Sequence, residues 1–140
     1  MIKNRLILVL LSFFNINCNE DLFIDYKWKN RILIVFDADE IGFDKTFIEK
    51  YRKDFLDRDL ILFIVNDDKL YIDGELASDK TFVCLKKKIK KISESSNLIL
   101  VGKDGGVKET YQFNNDIKQV FRDIDAMPMR IREMRKRKDG

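Results

Sequence analysis

Hydrophobic and polar positions along this chain alternate between two rhythms. Residues 31–36 are almost continuously apolar (Ile32, Leu33, Ile34, Val35, Phe36), and the run breaks into Asp37, Ala38, Asp39 and Glu40. A run apolar on both faces predicts a buried central strand, and sheets covered on both sides carry their chemistry at the carboxyl ends of the strands. Asp44 then suits a helix N-cap, with Phe47, Ile48, Tyr51 and Phe55 forming one apolar helical face. Residues 60–65 read as a second buried strand, closed by Asn66, Asp67 and Asp68. Strand, helix and strand at this spacing predict a parallel pair joined by a right-handed crossover, so both strands end on one edge. Residues 69–76 hold Leu70, Tyr71 and Ile72 before an Asp73-Gly74 turn, a short surface hairpin or excursion. Ser78 or Asp79 caps a second helix, whose core face is Phe82, Leu85, Ile89 and Ile92 and whose opposite face carries Lys80, Lys87, Lys88 and Lys91. Residues 97–101 and 107–111 form a hairpin around Asp104-Gly105-Gly106. A last core helix over about 115–127 presents Ile117, Val120, Phe121 and Ile124 and stops at Pro128. A basic tail follows, helical at first and frayed at its end.

The order β-α-β-α-β-β-α predicts an α/β domain of thioredoxin type: a mixed four-stranded sheet, order 2-1-3-4, with helices on both faces. The strand at 31–36 lies near its middle. The chain divides into a signal segment at 1–18, a domain at 26–127 and the tail at 128–140.

Composition narrows the chemistry. At 140 residues and 45% hydrophobic content the chain holds one globular domain. It has no His, which removes the commonest general acid/base, His-dependent nucleophiles and imidazole metal sites. Two cysteines, Cys18 and Cys84, make neither a CxxC pair nor a zinc cluster, so the framework is expected to rest on packing rather than on staples. Lys3 and Arg5 precede an apolar run at 6–14, too short to span a bilayer as a helix and suited to export. Cys18 follows it and is trailed by Asn19, Glu20 and Asp21, similar to a bacterial lipoprotein signal in which Cys18 becomes the lipidated first residue, although Asn15 and Asn17 depart from that pattern. The alternative is ordinary export with Cys18 removed or left just inside the mature chain. The net charge of +3 hides an asymmetry: residues 130–140 carry six basic and two acidic residues, leaving a mildly acidic body. An acidic domain with a basic tail, exported, does not suit nucleic acid.

Several stretches resemble a family of thioredoxin-like domains of unknown function called P-DUDES, found in bacterial proteins and in extracellular animal proteins with sushi repeats. They are Trp28-Lys29-Asn30-Arg31, Arg58-Asp59-Leu60, the hairpin 102–108 (Gly-Lys-Asp-Gly-Gly-Val-Lys), residues 124–130 (Ile-Asp-Ala-Met-Pro-Met-Arg), and Glu133-Met134-Arg135. The resemblance implies the fold and export and brings no settled activity. Where redox-active thioredoxins carry their dithiol this chain has Asp37, Ala38, Asp39, Glu40, Ile41 and Gly42, and no Pro precedes the third strand. Ordinary disulfide exchange is excluded.

Two candidate sites remain. Asp37, Asp39, Glu40, Asp67 and Asp68, with Asp44 beside them, converge on one sheet edge and offer hard oxygen ligands to a divalent cation such as Ca²⁺ or Mg²⁺, or charge to a basic partner. The same residue types also suit turns and helix caps with no ligand at all. Cys84, among lysines that favour a thiolate, is a candidate for one-Cys peroxide reduction or an intermolecular disulfide, against the reading of an incidental Cys on a charged face. Gly102 to Lys108 is a turn rather than a phosphate loop, because no helix follows it. Met127, Met129 and Met134 read as packing around a helix end. The expectation is an exported, periplasmic or lipid-anchored module that binds an envelope or extracellular protein or supports envelope structure, with no required cofactor. The enzyme alternatives are a Cys84 peroxide-reducing protein or a cation-dependent activity at Asp37, Asp39 and Glu40.

Overall fold

The computed structural model describes residues 17–18, 21–90, 92 and 95–140. Residues 1–16 of the export signal read at 1–18, and Lys91, lie outside the described residues. Eleven elements follow in order: β1 (Arg31–Phe36), α1 (Lys45–Lys50), α2 (Arg52–Asp57), β2 (Leu60–Asn66), β3 (Lys69–Ile72), β4 (Glu75–Leu76), α3 (Asp79–Ile89), β5 (Leu98–Val101), β6 (Val107–Tyr111), α4 (Lys118–Asp125) and α5 (Pro128–Lys138).

The sheet has six strands, ordered β4-β3-β2-β1-β5-β6, and not the four expected. The four foreseen strands keep their order in its middle, with β1 and β2 parallel and β5 and β6 antiparallel to their neighbours. The addition comes from the segment read as an excursion. Asp67-Asp68 is a two-residue turn that folds β3 straight back along β2, Asn66 opposite Lys69, with Asp67 in the left-handed region at φ 51°. Asp73-Gly74 repeats the device, φ 50° and 84°, and brings in β4. Leu70 is thereby buried, and the outer edge of β2 finds backbone partners that a free hairpin would have left to water.

Alternate side chains of the central strands point to opposite faces, and each face has its own core. Leu33, Val35, Leu60, Leu62, Leu98 and Leu100 meet Phe55 of α2 and Val120, Phe121 and Ile124 of α4. Ile32, Ile34, Phe63, Val65, Ile99 and Val101 meet Phe82, Leu85 and Ile89 of α3, joined by Phe23 from the turn before β1. The helix expected through Phe55 is two six-residue helices, broken at Tyr51, yet Phe47, Ile48, Tyr51 and Phe55 still face the first core. Asp44 caps α1 by accepting the Phe47 N–H at 2.9 Å, and Ser78 caps α3 by accepting from Thr81 at 3.2 Å.

Two further expectations are corrected. The frame is stapled: Cys18 and Cys84 form a disulfide across 66 positions, with Cα atoms 5.4 Å apart. Closing a loop of that length contributes about 4 kcal/mol in the chain-entropy description. The basic tail is α5, an eleven-residue helix with Pro128 in its first turn and Arg130 buried. A charge cluster, described below, holds it against the sheet.

Candidate functional site

The carboxyl ends of β1 and β2 do bring Asp37, Asp39, Glu40, Asp67 and Asp68 to one edge, all of them exposed. What those residues do there is local. Asp37 turns the chain at φ 51°, its N–H donating to the Val65 carbonyl at 3.0 Å and its own carbonyl accepting from Ile41 at 3.1 Å. Asp67 and Asp68 are the β2–β3 turn, and Asp44 is occupied by its cap. Among the described residues no three acidic, Cys or His side chains gather closely enough to hold a metal ion. The same edge also carries a cleft of about 350 Å³ between β6 and α4, lined by Tyr111, Phe113, Gln119 and Arg122 among others. There the Tyr111 hydroxyl donates to Asp123 at 2.7 Å, and burial together with that carboxylate pushes its pKa far up.

Cys84 sits on α3 among lysines, as the helical spacing required, but its sulfur is bonded to Cys18. A sulfur so engaged offers no thiolate for peroxide reduction. The bridge and a lipid thioether are likewise alternative fates of the Cys18 sulfur. Among the described residues no cysteine is free.

The dense chemistry lies at the opposite edge. Arg31 opens β1, Arg58 and Asp59 lead into β2, and Lys103 follows β5. Because β5 runs antiparallel to β1, these positions meet. Arg31 is 1% exposed; its two terminal nitrogens donate to the two Glu133 oxygens at 3.2 Å each, and Nη1 also reaches the Arg58 carbonyl at 3.0 Å. Lys103 bonds Glu133 at 2.7 Å and Asp59 at 2.8 Å. Arg130, 2% exposed, bonds Asp125 at 3.1 Å and both the side chain and the carbonyl of Asp57, the latter at 2.7 Å. Arg58 grips Asp125 with two nitrogens, at 2.7 and 3.1 Å, and lies 4.4 Å above the Phe121 ring. Burial raises the Glu133 and Asp125 carboxyls, but hydrogen bonds from Arg31 and Lys103 to the first, and from Arg58 and Arg130 to the second, outweigh it and hold both below their ordinary values.

Such a cluster is built to stay ionised. Each buried cation has a carboxylate within reach, and each of these two carboxylates is engaged by at least two cations, which suits a fastening better than proton transfer. It joins the starts of β1 and β2 to α5. These residues were not singled out in the sequence as a site. The signal was present nonetheless: Arg31, Arg58, Asp59, Lys103, Asp125, Arg130 and Glu133 all fall within the stretches that carry the family resemblance.

A family model described as a domain of unknown function (DUF4174) matches residues 22–133. The chain belongs to the DUF4174 family. No curated protein and no solved structure matches it. The family match begins beside Phe23, in the second core, and ends at Glu133, in the charge cluster. It takes in the first half of α5 and stops short of its basic end.

Proposed function

We propose that this DUF4174 chain is an exported, thioredoxin-like module that acts by binding rather than by thiol or cation chemistry. The observation that carries the reading is the Cys18–Cys84 bridge, which engages both cysteine sulfurs the sequence offers. A disulfide persists in oxidising compartments, which supports export alongside the charged and apolar residues at 3–14. The thioredoxin-like part is supported by the central order β2-β1-β5-β6, the parallel pair crossed over by α1 and α2, and helices on both faces. In this reading Cys18 stays in the mature chain as a bridge partner and is not lipidated.

Mass spectrometry of the mature, unreduced protein, with thiol titration before and after unfolding, tests this. The expected outcome is no free thiol in either state and a mass two hydrogens below the dithiol form. A diacylglyceryl group on Cys18, or a free Cys84 that alkylates well below a thiol's usual pH range, would overturn it and restore the lipoprotein or peroxide-reducing alternative.

A further inference from the structure

Two neighbouring stretches, the turn before β1 and helix α3, combine exposed apolar side chains with an excess of cations. The turn at 22–29 leaves Ile24 58% and Trp28 66% exposed, although it also buries Phe23. Trp28 holds a left-handed backbone, φ 64°, which bulky residues avoid, and its N–H donates to the Lys103 carbonyl at 2.7 Å. The backbone is thus fixed at a cost in an arrangement that puts the indole into solvent, the opposite of what core packing selects. Lys27 and Lys29 flank it. Alongside runs α3, whose outer side bears Lys80, Lys86, Lys87 and Lys88, with Lys90 just beyond its end. Across residues 21–29 and 79–90, seven lysines stand against three carboxylates, Asp21, Asp25 and Asp79.

Named contacts tie the two stretches together. Asp21 accepts from Lys27 at 2.9 Å and from Lys88 at 3.4 Å. The Lys88 ammonium lies 4.5 Å from the centre of the Phe23 ring. The Cys18–Cys84 bridge fixes the chain entering the turn to the outer side of α3.

We propose that this face docks on an anionic phospholipid bilayer. Trp28 and Ile24 enter at headgroup depth, and Lys29, Lys80, Lys86 and Lys90, which Asp21 does not engage, pair with lipid phosphates. Trp suits that depth because its ring is apolar and its N–H finds acceptors there, and lysines around it gain from the negative surface potential. Docking deepens the binding reading above and rests on it only in placing the chain beside a membrane.

Trp28 is the sole tryptophan, so its emission reports the contact directly. The full chain is mixed with vesicles of phosphatidylcholine alone or of phosphatidylcholine with phosphatidylglycerol, and both emission and flotation are read. Docking predicts a blue shift and flotation with the anionic vesicles, reversed by high salt. Lys29→Gln and Lys90→Gln should each weaken binding about fivefold. Trp28→Ala should lower flotation while leaving the thermal melt intact. Equal binding to both vesicle types would assign the contact to the apolar run at 6–14 and overturn the proposal, as would no binding to either. The thiol measurement is independent of lipid, so failure here and failure of the binding-module reading are distinguishable.

Discussion

The two ends of the sheet each gather charged side chains and use them in opposite ways. At the carboxyl ends of β1 and β2, Asp37, Asp39, Glu40, Asp67 and Asp68 are exposed and serve the backbone as turns. At the other end Arg31, Lys103 and Arg130 are buried, and Glu133, Asp57, Asp59 and Asp125 are shaped around them. Position at the carboxyl edge of a sheet is therefore a weak pointer in this chain, and desolvation separates the two ends. An exposed carboxylate loses little when its neighbours change. A buried cation deprived of its partner has no water to turn to.

The largest effect should come from Glu133→Ala, which leaves Arg31 and Lys103 short of a shared partner. Chemical denaturation should reveal a loss of about 3–5 kcal/mol. Replacing the pair together, Arg31→Met with Glu133→Leu, should recover the share that comes from stranding Arg31, since an apolar pair avoids its desolvation cost, while Lys103 keeps Asp59 alone. If Glu133→Ala proves neutral, the contrast between the two ends collapses.

Acid should act on the same end. Glu133 and Asp125 bind protons less readily folded than unfolded, so their contribution is complete above their ordinary values of 4.5 and 3.8 and fades as pH falls below them. Asp21, drawn down to about 2 chiefly by the Lys27 hydrogen bond and then by the Phe23 N–H, adds to the same acid loss between 3.8 and about 2. The urea midpoint should fall across that window, less steeply in Glu133→Gln.

Alkali tests the other end. Tyr111 is harder to ionise folded than unfolded, so its contribution is present below pH 10 and is lost as pH rises above it. Tyrosinate absorbance should place this residue, and to a lesser degree Tyr26, above the ordinary phenol value of 10. Ionisation of Tyr111 at the ordinary phenol value would mean that the Asp123 contact is not kept in solution.

The smallest effect is expected at the acidic loop. Asp39→Asn should change stability by no more than about 0.5 kcal/mol, and added Ca²⁺ should leave the melting temperature of both proteins unchanged. An ion-dependent rise that Asp39→Asn abolishes would return the carboxyl edge to the list of binding sites.

The order of the central strands and the core faces were readable because period-two and period-3.6 patterns are local: Ile32 to Phe36, Phe82-Leu85-Ile89 and Val120-Phe121-Ile124 declare themselves within a few residues. The pairing of β3 with β2 was harder, since four residues hold too few alternations to say which edge they join. The charge cluster was unreadable as a unit. Arg31 meets Glu133 across 102 positions and Arg130 meets Asp57 across 73, and no local spacing encodes such encounters. The bridge was hidden for the same reason, its two cysteines lying 66 positions apart. The basic composition of 130–140 suggested solvent, whereas a few matching carboxylates were enough to draw Arg130 inside.

The clasp between Arg31 and Glu133 also sets a timetable. Its second half is made 102 positions after its first, so a chain emerging from the ribosome carries Arg31 without its carboxylate, and Lys103 with Asp59 alone, until α5 arrives. For the experimenter the corollary is practical: cutting before Pro128 removes the latch of the fold rather than trimming a loose end.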